Sequence, residues 1–81
     1  MRIAIVDDLA KERASLHLRL EKILSLRSVC AEILEYESGE AFLAAEKKQR
    51  FTAAFLDIYM DGMSGMDAAR ELRKMDTDCM L

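Results

Sequence analysis

Proline is missing from all 81 residues, and cysteine, glycine and histidine number two, three and one. Without proline, no loop of the chain is stiffened by a fixed φ. The two cysteines, Cys30 and Cys79, form no CxxC pair and no cluster of metal-ligand spacing. They are expected to be reduced core thiols. No apolar run approaches the roughly 20 residues of a membrane span. A strand is expected directly after Met1, which leaves no place for a signal peptide. A basic excess is also lacking. The 12 Lys plus Arg against 15 Asp plus Glu give −3 at pH 7, which argues against nonspecific nucleic-acid binding by this segment. With 52% hydrophobic and 33% charged residues, the chain is expected to be cytoplasmic and globular, at most one small domain over residues 1–81.

Within that frame, two apolar runs each stop at a carboxylate. Ile3-Ala4-Ile5-Val6 is followed by Asp7-Asp8, and Phe51-Thr52-Ala53-Ala54-Phe55-Leu56 by Asp57. Residues 2–6 read as a central parallel strand, apolar on both faces. Asp8 or a near neighbour is expected to cap a helix running to about residue 25, with Leu16, Leu20, Ile23 and Leu24 on its apolar face and Leu18 and Leu26 off it. Residues 29–36, interrupted by Glu32 and Glu35, read as an edge strand. Ser38 is the expected N-cap of a second helix over residues 39–48, packed through Ala41, Phe42 and Ala45. Residues 52–56 form a third strand. Ser64-Gly65-Met66-Asp67 fits a capping box opening a third helix, with Met66, Ala69, Leu72 and Met75 as its buried stripe.

This β-α-β-α-β-α alternation predicts an α/β fold, a doubly wound parallel sheet with helices on both faces. Right-handed crossovers favour the strand order 2-1-3, which sets the tips bearing Asp7, Asp8 and Asp57 side by side. Ligands of such sheets bind outside the carboxyl ends of the strands. Three carboxylates there suit a hard divalent cation, magnesium first. The third strand, apolar on both faces, would be an exposed edge in an 81-residue fold. Cys79-Met80-Leu81 opens a further apolar run, a stub of a fourth strand. The chain is therefore expected to be a C-terminally truncated domain, cut after its third βα unit.

These residues resemble the receiver domain of two-component response regulators, a flavodoxin-like fold, over about the first two-thirds of such a domain. The resemblance rests on Ile3-Ala4-Ile5-Val6-Asp7-Asp8, then Phe55-Leu56-Asp57-Ile58-Tyr59-Met60 about fifty residues on, then Gly65 after a short loop. The runs Glu35-Tyr36-Glu37-Ser38-Gly39-Glu40-Ala41-Phe42-Leu43 and Leu56-Asp57-Ile58-Tyr59-Met60 are similar to LytTR-type regulators. Such regulators bind DNA through an output domain that this chain does not include. The resemblance implies that Asp57 is the phosphoryl acceptor, and that Mg2+ is held by Asp8 directly, by Asp7 directly or through water, by Asp57 and by the main-chain carbonyl of Tyr59. It also implies a sensor histidine kinase as donor, and self-phosphorylating chemistry rather than a turnover enzyme. Asp61 stands where the family usually has proline, which leaves that loop less rigid. The family's hydroxyl residue on strand four and lysine on strand five have no counterpart within 81 residues, so impaired phosphorylation is expected.

Two other readings compete. Haloacid-dehalogenase phosphotransferases also use a strand-end aspartate, but they place a second aspartate two residues on, where Tyr59 stands here. An assembly fragment without phosphorylation would form a homodimer through the open edge of the third strand. Among the remaining residues, His17 is expected at a helix boundary, and Lys47-Lys48-Gln49-Arg50 as a solvated helix end.

Overall fold

The structure is a computed structural model that describes residues 1–57 and 64–75. Its first element, β1 (Arg2–Val6), has four consecutive buried residues, as its unbroken apolar run requires of a strand covered on both faces. β2 (Glu32–Tyr36) and β3 (Ala53–Leu56) flank it in parallel, giving the order β2-β1-β3. The register aligns Ala4 with Leu34 and Ala54, and Ile5 with Glu35 and Phe55. Alternation along the strands then separates two faces.

One face holds the core. Ala4, Val6 and Ala54 pack there with Phe42 and Leu43 of α2 (Gly39–Lys48), with Phe51, and with Leu72 of α3 (Gly65–Met75). The rings of Tyr36, Phe42 and Phe51 stand 5.5 to 6.1 Å apart in tilted or edge-on pairs. Ser38 caps α2 as expected, its Oγ accepting the Ala41 amide at 3.1 Å. Ser64 caps α3 the same way through the Asp67 amide at 3.2 Å. Both buried faces are rotated from expectation. Gly39, Phe42, Leu43 and Glu46 are the buried residues of α2, while Ala41 is exposed. On α3 it is Gly65, Ala68 and Leu72 that are buried, with Ala69 partly so, and Met66 is 57% exposed. Sequence periodicity fixes a stripe's spacing, but a one-residue rotation is decided by what the helix meets. Glu46 is buried because its Oε2 accepts the Phe51 amide at 2.9 Å and ties the end of α2 to the entry of β3.

The other face carries α1 (Ala10–Leu26) alone among the described helices. Leu16, Leu20 and Leu24 are half-buried, Ile23 is half-exposed, and no residue of this helix is fully buried. Leu18 and Leu26 face solvent as expected. Neither Asp8 nor Asp7 caps α1; its N-cap is Leu9, which makes no side-chain bond. The Asp7 Oδ1 instead accepts the Leu9 amide at 2.9 Å and shapes the turn before the helix. At the far end Ser28 and Val29 donate to the carbonyls of Ser25 and Leu24, which closes a Schellman motif. Ser28 takes φ 55°, the left-handed position usually given to glycine, at a cost of roughly 1 kcal/mol. Cys30, just beyond, is exposed and free rather than in the core, because the strand starts only at Glu32. The stub of a fourth strand and Cys79 lie outside the described residues, and nothing is said of the side chain of Met75.

Candidate functional site

The carboxyl ends of β1 and β3 are neighbours, held by the Asp57 amide donating to the Val6 carbonyl at 2.9 Å. On the other side the Asp7 amide donates to the Tyr36 carbonyl at 3.1 Å. The two acidic sites of the sequence therefore meet. One carboxylate oxygen each from Asp7, Asp8 and Asp57 lies within 4.8 Å of the others, and this is the one such cluster among the described residues. Asp7 and Asp57 are partly buried and Asp8 is exposed. Tyr59, whose carbonyl was expected to join them, and Asp61 lie outside the described residues.

Burial is the main cause that holds the Asp7 carboxyl above its ordinary range. The Leu9 amide opposes this, and the charges of Asp57, Asp8 and Glu12 add to it. A partly buried crowd of mutually repelling oxygen donors is the donor set that suits a hard divalent cation. An open groove of about 430 Å³ runs from this cluster between α1 and β3. Asp7, Glu12 and Asp57 line its acidic end, and Ile5, Leu16 and Phe55 its apolar wall.

The raised Asp7 makes a pH prediction. A folded-state pKa above the unfolded one means the native chain holds a proton that the unfolded chain has lost. This group's unfavourable effect is therefore absent near its unfolded value of 3.8 and grows as pH rises through the raised value. Asp7→Asn, which keeps an oxygen for the Leu9 amide, is expected to be more stable than wild type at neutral pH in chelator. That advantage should shrink as pH is lowered. Urea midpoints of both proteins between pH 4 and 7.5 check it, and a gap that widens on acidification would refute it.

Arg13 and Glu35 also belong to the site's surroundings, although in the sequence Arg13 stands out for nothing and Glu35 reads only as part of an edge strand. Arg13 donates through Nη1 to the Asp7 carbonyl at 2.7 Å, and its Nε lies 3.4 Å from Glu35. His17 is a boundary residue as expected, between Glu35 at 2.8 Å and Glu21 at 2.9 Å. The signal was present: Arg13, His17 and Glu21 fall at i, i+4 and i+8 on one helix face. By contrast, residues 47–50 are exposed and line none of the acidic groove, as expected of a solvated helix end.

Comparison with known proteins agrees with this geometry. Residues 3–81 match the response regulator receiver domain. Response regulator TrrA from Thermotoga maritima, solved in complex with Mg2+-BeF, is 33% identical with a TM-score of 0.83, over 96% of this chain and 63% of that one. The same regulator solved in complex with the histidine kinase ThkA gives 0.81 over 96% and 62%. A CheY-like receiver domain protein from Methanospirillum hungatei is 27% identical, with a TM-score of 0.77 over 96% and 59%. Among curated proteins no relative matches significantly. This chain thus spans less than two-thirds of each of these solved chains, and no helix among its described residues is long and apolar enough to cross a membrane. From the acidic strand ends, the 2-1-3 sheet and the match across residues 3–81, the chain belongs to the response regulator receiver domain family.

Proposed function

We propose that Asp57 accepts a phosphoryl group from a histidine kinase, with Mg2+ held by Asp7, Asp8 and Asp57. The observation that carries this reading is the convergence of the three carboxylates within 4.8 Å at the sheet's carboxyl edge. A carboxylate oxygen of Asp57 attacks phosphorus, and the bond from phosphorus to its donor breaks. From a phosphohistidine the leaving group is the imidazole, which takes up a proton; from acetyl phosphate it is acetate. An acyl phosphate remains on Asp57. Magnesium, when bound, neutralises charge on the acceptor and on the incoming group. Asp7 and Asp8 supply oxygen donors, and the Asp7–Leu9 turn keeps one of them in place. Support for the donor comes from the regulator solved with its kinase, and for the ion from the regulator solved with Mg2+-BeF. The reading is of stoichiometric modification, one phosphate per chain, rather than turnover. Intact mass after incubation with Mg2+ and acetyl phosphate tests it. One added phosphate supports the reading, and none on a folded chain rejects it.

A second reading is favoured by β3, which pairs only with β1 among the described residues and leaves Phe55 42% exposed. Two copies would pair across that edge. Light scattering that gives twice the mass of 9.2 kDa, lost in Phe55→Lys, would support it. A monomer at high concentration would remove it.

A further inference from the structure

The peptide of Asp7 is held on every side. Its amide donates to Tyr36 of β2, its carboxylate accepts from Leu9, and its carbonyl accepts from Arg13 at 2.7 Å. Arg13 is itself braced. Its side chain is 17% exposed, and Glu35 of β2 stands 3.4 Å from its Nε. Glu35 is in turn fixed by His17 at 2.8 Å, which also reaches Glu21 at 2.9 Å. The guanidinium thus spans from the β2 strand to the carbonyl of an acidic-cluster residue, using two donors of its rigid fork.

We infer that Arg13 is a positioning residue for the acidic cluster, and that with Glu35 it sets the Asp7 carboxylate where a divalent cation needs it. The inference rests on the cation reading above and adds to it a residue that touches no ligand. The alternative, a merely structural Arg13, stabilises the fold without changing cation affinity. The physics separates the two. Three repelling carboxylates drift apart when the peptide beneath one of them is loosened, so affinity suffers beyond any loss of stability. Partners that orient metal ligands typically account for 10- to 100-fold in affinity.

The test is a Mg2+ titration of the full 81-residue chain, followed by backbone amide shifts, with wild type, Arg13→Gln, Arg13→Lys, Glu35→Gln and Asp57→Asn. Arg13→Gln is expected to bind roughly tenfold more weakly, with the Leu9 amide shifted before any Mg2+ is added. Lysine has one charged nitrogen for two partners and restores only part of the affinity. Glu35→Gln keeps the carbonyl bond but loses the charged brace, and falls between. If Arg13→Gln proves unfolded, Glu35→Gln decides. A folded Arg13→Gln or Glu35→Gln with wild-type affinity and an unmoved Leu9 amide would overturn the positioning role. Weak or absent binding by wild type itself, unchanged in Asp57→Asn, would instead overturn the cation reading and this inference with it.

Discussion

Asp57→Asn is expected to take up no phosphate under conditions that add one phosphate to wild type. The substitution is close to isosteric, but a carboxamide has no charged oxygen to attack phosphorus. Asp57 ends β3, and its amide bond to the Val6 carbonyl is made by the backbone, so the side chain can change without moving the strand. The Asp57 charge is one of those that raise the Asp7 carboxyl, so its removal relieves that repulsion in the metal-free chain. Loss of phosphorylation in a folded Asp57→Asn is therefore a chemical result rather than a folding one. Chelating Mg2+ from wild type should act through a different route. With the ion held as proposed, its removal would withdraw several kcal/mol of charge stabilisation, about a hundredfold or more in rate. Intact mass reads both, and a phosphate retained in Asp57→Asn would place the acceptor elsewhere.

Phe42→Ala is expected to unfold much of the population. Phe42 is completely buried and sits between Tyr36 and Phe51, with centroids at 6.1 and 5.5 Å. Removing a buried phenyl typically costs about 3–5 kcal/mol, the lost ring pairs included. A chain of this size has a total stability on the order of 5 kcal/mol. Leu26→Ala provides the contrast, because Leu26 is 87% exposed and its loss should fall within about 0.5 kcal/mol. Urea denaturation followed by far-ultraviolet circular dichroism separates the two. Similar midpoints for both variants would mean that the Phe42 cluster is not the core.

Local signals were read well from the sequence. An unbroken apolar run at β1, serine caps at residues 38 and 64 and the crossover logic led to the observed sheet order. The cluster of Asp7, Asp8 and Asp57 followed from that order. Rotations were harder. Whether Met66 or Ala68 faces the core depends on the shape of α2 and β3, which no window of sequence contains. Burial of Glu46 was hidden for a related reason. A charged residue on a helix reads as solvated until the strand that needs an acceptor for the Phe51 amide is in place. Arg13 escaped because its partners are a carbonyl and a residue 22 positions away, Glu35.

The two sides of the sheet are unequal, and that sets an order of events. α2 and α3 share a closed core with the sheet, whereas α1 contributes no fully buried residue. Segments with few buried contacts open at lower free energy than the fold as a whole. Amide protons along α1 should thus exchange with solvent through a local opening that leaves the strands paired. Every such opening carries Arg13 away from the Asp7 carbonyl and slackens the turn at Leu9. The acidic cluster would then loosen before the protein unfolds, and its hold on a cation would follow the stability of this weaker layer as well as that of the sheet.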